Sequence, residues 1–211
     1  AIKSIGDTLD PIQPSLPASA LEGLDLGTVD WFIEPLFGRG LMTFIQGKPK
    51  GGKSTWALYS ALCMAKGFWI SDRFSIPKKT KGIYLHYEDN LRRVQDRLLK
   101  YNRPLQLGPL PDTLRVYDRP PRFDLATASG ISTLRKLIEA DQAEFVVLDT
   151  LAKCHSANEN EQSEMQPIMT ALRDITIDYK VAMIVIHHVR KTSNNGDAGG
   201  ITDKGRGSGS I

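Results

Sequence analysis

The residues with the clearest chemical meaning are Gly47, Lys48, Pro49, Lys50, Gly51, Gly52, Lys53 and Ser54, which fit G-x-x-x-x-G-K-[ST]. Glycines at these positions let consecutive backbone N–H groups turn inward as an anion nest, and a following helix adds the positive end of its dipole. In such a loop Lys53 reaches the β- and γ-phosphates of a nucleoside triphosphate, and the Ser54 hydroxyl completes a Mg²⁺ shell. Thr55 is taken with the loop as a phosphate-binding position. The bland alternative is a glycine-rich turn before an ordinary helix. The flanks argue against it: residues 41–46 read as a short buried strand and residues 54–65 as an apolar helix. The expected ligands are ATP and Mg²⁺.

Open parallel sheets bind ligands beyond the carboxyl ends of their strands, and the other candidate groups fall where expected strands end. Asp149 follows Phe145-Val146-Val147-Leu148, a Walker B pattern, where a carboxylate holds Mg²⁺ through water and hydrogen-bonds Ser54. Its alternative role is to open a loop or cap a helix. The next residue is Thr150 rather than Glu, so a general base has to come from elsewhere. Glu88, after the strand at 83–87, is the best candidate, on a strand expected to neighbour the first. Asp89 is second choice, with helix capping as its competing role. His187 ends the strand at 181–186 and is positioned to sense the γ-phosphate or the attacking water; otherwise it is a satisfied polar residue. His188, Arg190 and Lys191 then open a basic segment that Lys204 and Arg206 close. Read functionally, Lys204 and Arg206 form a finger pair for a neighbour's active site, a device worth about 10³–10⁵ in rate. Read blandly, they belong to a solvated linker.

Strands alternating with helices must position these groups. Residues 91–101 carry Leu91, Val94, Leu98 and Tyr101 at helical spacing, with Arg92, Arg93, Arg97 and Lys100 on the opposite, solvated face. A short strand is expected at 114–117, a helix within 127–140, a buried strand at 144–149 and a helix at 165–178. The aromatic cluster at 31–37 is expected to pack against the domain edge rather than stack on a base. Residues 192–210, rich in Gly, Asn and Ser, are expected to be mobile without ligand. The continuous apolar runs predict a three-layer α/β domain, a mostly parallel sheet with helices on both faces. That domain is assigned to residues 29–211, after a flexible proline-rich arm at 1–28.

Composition bounds the rest. A chain of 211 residues with 41% hydrophobic and 24% charged residues suits one globular α/β domain. No apolar run approaches the roughly 20 residues of a membrane span, and no signal peptide opens the chain, so no membrane partner is expected. Cys63 and Cys154 lie far apart without metal spacing and read as reduced thiols of a cytoplasmic protein. A net charge of +3 does not announce a nucleic-acid binder. The start without Met and the stop at Ile211, where a further strand could be starting, give the expectation of a domain truncated at its C-terminal end.

Together these motifs resemble the RecA-like ATPase superfamily, and within it the RepA-type hexameric helicases of plasmids and related phage or mobile-element ATPases. The resemblance covers residues 31–211 and rests on residues 47–54, Tyr87-Glu88-Asp89, Leu148-Asp149-Thr150-Leu151, His187-His188-Val189-Arg190-Lys191 and Gly205-Arg206-Gly207-Ser208. It implies Lys53 and Ser54 for phosphate and Mg²⁺, Asp149 for Mg²⁺, Glu88 as the base and His187 as the γ-phosphate sensor. It also implies Arg206, with Lys204, as a finger in trans, a homo-oligomeric ring that is commonly a hexamer, and single-stranded DNA passing through its centre. One departure bears on DNA: residues 154–166 carry Glu159, Glu161 and Glu164 and no Lys or Arg, a poor phosphate grip. An ATP-driven replicative helicase is therefore weighed against a RecA-like ATPase acting as recombination mediator, regulatory switch or assembly factor without unwinding.

Overall fold

The computed structural model describes residues 17–188, apart from 26, 69, 72, 73, 75, 77, 105, 107, 121 and 122. The chain divides into two units, residues 1–30 and 31–211. In the first unit, α1 (Ala18–Leu21) is a single turn that buries none of its residues. Arg190, Lys191, Lys204, Arg206 and the expected mobile stretch at 192–210 lie outside the described residues.

The second unit begins with an antiparallel hairpin, β1 (Trp31–Ile33) and β2 (Phe37–Gly38). There follow β3 (Met42–Gly47), α2 (Lys53–Lys66), β4 (Gly82–His86), α3 (Leu91–Asn102) and β5 (Leu114–Asp118). The chain continues through α4 (Ala128–Asp141), β6 (Phe145–Asp149), a 3₁₀ turn (Leu151–Lys153), α5 (Gln162–Asp178) and β7 (Ala182–His188). Strands β3 to β7 form one parallel sheet in the order β3-β7-β6-β4-β5. This is the expected three-layer α/β architecture.

Parity along the strands builds the layers, because successive side chains point to opposite faces. Phe145, Val147, Ala182, Ile184 and Ile186 join Leu58, Leu62, Val94 and Leu98 in the core beneath α2 and α3. Val146, Leu148, Met183 and Val185 join Leu134, Ile138, Ile168, Leu172 and Ile175 in the core beneath α4 and α5. Ile168, Leu172 and Ile175 thus form one stripe of α5 that faces the sheet. Gly82 is required by the close approach of Phe145, since a Cβ there would sit 2.0 Å from the Phe145 ring. The hairpin buries Phe32, Ile33 and Phe37 in the α2-side core, which is the packing role expected of the aromatic cluster. Cys63 and Cys154 are free and buried. No helix among the described residues is long and apolar enough to cross a membrane.

Three expectations need correction. The strand before the phosphate loop is not buried: β3 is an edge among the described strands, and Phe44 is 37% exposed. Nor does β4 neighbour β3; β7 and β6 stand between them. Both corrections have one cause. Strands β4 and β6 are buried at every position and β7 at five of its seven, so they take the centre. Strands β3 and β5, which carry Thr43, Gln46, Arg115 and Asp118, are left at the edges. Leu91 leaves the apolar stripe of α3: as the first helical residue it is 52% exposed, while Val94 and Leu98 are buried.

Candidate active site

The loop between β3 and α2 turns through left-handed backbone at Lys50 (φ 62°) and Gly52 (φ 80°), the second a conformation that glycine adopts at no steric cost. The Gly51 N–H donates to the Lys48 carbonyl at 3.2 Å, closing the turn that also contains Pro49. Lys53 is buried and folds back over the loop, donating from Nζ to the Gly47 and Lys48 carbonyls at 2.9 and 2.8 Å. Helix α2 starts at that lysine with no side-chain cap and no acidic residue in its first turn. By contrast, Asn90 caps α3 and Thr127 caps α4. The first N–H groups of α2 therefore suit an external anion.

Strand parity also delivers the carboxylate of Asp149, which shares the α2 side of β6 with Phe145 and Val147. Asp149 is 5% exposed, and its Oδ1 accepts from Ser54 Oγ at 2.8 Å. Its Oδ2 accepts from the hydroxyl of Tyr84, a fully buried residue of β4. Burial raises the Asp149 pKa above the usual carboxylate range; the hydrogen bonds from Tyr84 and Ser54 oppose that rise, and the charge of Glu88 adds to it. A hydroxyl donating to a buried carboxylate beside a lysine and an uncapped helix is a donor set that fits Mg²⁺ with a polyphosphate.

Glu88 lies just past the end of β4. Its Oε1 lies 2.8 Å from His188 Nε2 and accepts from Thr150 Oγ1 at 3.4 Å. The register of β7 on β3 sets Gly47 opposite His188, so this histidine belongs beside the phosphate loop. His187 points the other way and pairs with Glu159, Nδ1 to Oε1 at 3.6 Å. Residues 50–55, Glu88, Asp89, Arg97 and His188 line one recess of about 340 Å³. The structure thus brings Lys50, Gly51, Gly52, Lys53, Ser54, Thr55 and Glu88 to one recess and sets Asp149 against Ser54. It does not bring His187 there; His188 occupies that side. The cap expected of Asp89 is supplied by Asn90, whose side chain accepts from the Arg93 N–H at 3.0 Å. Asp89 instead holds Arg93 at 3.1 Å and Arg97 at 2.7 Å.

Sequence reasoning missed Tyr84, Arg97 and the orientation of His188. Parity could have found two of them, because Tyr84 and His188 lie in step with the residues of their strands that pack beneath α2. The acidic stretch expected as a loop over 154–166 ends in the first residues of α5, and it is engaged within the chain: besides Glu159 beside His187, Glu164 in the first turn of α5 accepts from the Asn158 N–H at 2.7 Å.

A parallel sheet of this order, with a phosphate loop after one strand and an Asp149–Ser54 pair across it, has the fold of a RecA-like P-loop core. The chain belongs to the AAA domain family, whose model matches residues 9–194. No curated protein sequence matches it significantly. Among solved structures it is similar to the RadB recombinase, at 20% identity over 75% of this chain and 66% of that one, with a TM-score of 0.53. A KaiC-like protein, PH0186 from the hyperthermophilic archaeon Pyrococcus horikoshii OT3, is similar at 16% identity over 75% and 65%, with a TM-score of 0.53. The chain thus spans just under two thirds of each of these two proteins.

Proposed function

We propose that this chain hydrolyses ATP with Mg²⁺ in the recess between the phosphate loop and the strand ends. One observation carries the reading: Lys53, Ser54 and the His188–Glu88 pair line one recess, and Asp149 is set against Ser54 beside it. The loop N–H groups and Lys53 bind the phosphates, with Lys53 exchanging its loop carbonyls for phosphate oxygens. Both described partners of Glu88 sit on Oε1, which leaves Oε2 to accept the proton of a water attacking the γ-phosphorus. The bond from that phosphorus to the bridging oxygen breaks, and ADP and inorganic phosphate leave. Mg²⁺, when bound by Ser54 and Asp149, neutralises charge on the β- and γ-phosphates. His188 orients the base. His187, one residue away, links the same strand end to the loop that carries Glu159.

The finer reading is a homo-oligomeric ring of RepA type, commonly hexameric, with Arg206 and Lys204 completing a neighbour's site and hydrolysis coupled to translocation on single-stranded DNA. A second reading, a recombination mediator or regulatory switch without unwinding, is favoured by the acidic stretch, whose Glu159 and Glu164 are engaged within the chain. Steady-state ATPase rate against protein concentration, with and without single-stranded DNA, separates the two. A rate per subunit that rises with concentration and is stimulated by DNA supports the ring motor. A rate that rises with concentration and ignores DNA supports the switch.

A further inference from the structure

We propose that Tyr84 is a positioning residue that sets the Asp149 carboxylate for Mg²⁺, an inference that rests on the recess being a Mg²⁺–ATP site. Tyr84 is 1% exposed and lies in the apolar layer beneath α2, with Leu62, Phe145 and Val147. Phenylalanine would fill that layer equally well, so the hydroxyl is the part that needs a reason. A buried hydroxyl requires a partner, and this one donates to Asp149 Oδ2, with the Ser54 carbonyl 3.4 Å away.

The two Asp149 oxygens are thus divided. Oδ2 takes Tyr84, and Oδ1 takes Ser54 Oγ at 2.8 Å. Two donors from two elements fix the plane of the carboxylate. A hydroxyl has one proton, so Ser54, by donating it to Oδ1, keeps its lone pairs for a cation. Donors behind a metal-shell carboxylate act in this way, orienting the group rather than touching the metal. Tyr84 therefore ties β4, β6 and the start of α2 together at the atoms that would meet Mg²⁺.

The test is the affinity of the full chain for a fluorescent, non-hydrolysable ATP analogue, measured with Mg²⁺ and again with EDTA. In Tyr84→Phe, the gain in affinity conferred by Mg²⁺ falls about tenfold, the effect of losing one charge-assisted hydrogen bond. Affinity in EDTA stays within about twofold of wild type, as expected when the phosphate loop is untouched. Tyr59→Phe serves as the control, because the Tyr59 hydroxyl donates to the Ile70 carbonyl at 3.5 Å, away from Asp149, and leaves both affinities unchanged. An undiminished Mg²⁺ gain in Tyr84→Phe overturns the proposal. So does equal weakening with and without Mg²⁺, which would make the hydroxyl part of the fold alone. A wild-type chain that gains nothing from Mg²⁺ would remove the underlying reading, and this inference with it.

Discussion

His187 and His188 are adjacent in sequence and opposite in role. Neighbouring residues of a strand face opposite sides of the sheet, so one histidine meets Glu159 and the other meets Glu88. His188→Ala is therefore predicted to lower the ATPase kcat by about 10-fold or more, on the scale of losing a group that positions a general base. His187→Ala is predicted to leave kcat within about threefold; a larger loss from His187 would reverse the assignment. Asp149 carries a different consequence. Burial raises its folded pKa, so the folded chain binds the proton more tightly than the unfolded chain does. The resulting stabilisation is complete below the unfolded pKa and is lost as pH rises through the folded one, leaving the charged form a cost at neutral pH. In Asp149→Asn the removed buried charge is offset by the loss of one of its two acceptor oxygens, so fold stability at neutral pH is expected to stay within about 1 kcal/mol of wild type while Mg²⁺-dependent turnover is abolished. Thermal unfolding at pH 7 checks it, and a larger loss would show that the charge supports the fold. At this scale the motif residues were legible because their spacing is local. Of the partners of Asp149 and Glu88, Ser54 was among them, but Tyr84, Thr150 and His188 were not, since they meet these carboxylates only across strands.

Elements were legible where their pattern was strong and illegible in their order. The continuous apolar runs of β6 and β7 announced buried parallel strands, and α5 could be read from Ile168, Leu172 and Ile175. Sheet order depends on which strands can be covered on both faces, a comparison among strands rather than a property of any one. Thr43 and Gln46 in β3 carried that information, and the apolar neighbours Phe44 and Ile45 outweighed it. The contact of β4 with β6 yields a sharper test. Gly82 pairs with Phe145 in register, and a methyl group there meets the Phe145 ring at 2.0 Å. Gly82→Ala is predicted to destabilise the domain by about 3 kcal/mol, the upper end of overpacking costs. Urea unfolding measures it; a loss below about 1 kcal/mol would mean that the ring moves aside freely.

For the whole molecule, the sheet gathers its chemistry at one end. A loop after β3, a carboxylate after β4, another closing β6 and an imidazole closing β7 all arrive where the parallel strands terminate. The proposed finger, Arg206 with Lys204, makes assembly part of the chemistry. Mixing Arg206→Ala with Glu88→Ala subunits is then predicted to restore hydrolysis that neither shows alone, because each supplies the half-site the other lacks. Absence of rescue would count against a finger in trans. The most direct test of the central claim is a paired measurement of ATP binding and hydrolysis in Glu88→Gln. In the proposed mechanism Glu88 is the base and not a phosphate ligand, so the variant is predicted to bind ATP with Mg²⁺ as wild type does while hydrolysis falls by about 10²-fold or more. Hydrolysis at the wild-type rate, with binding intact, would contradict the account.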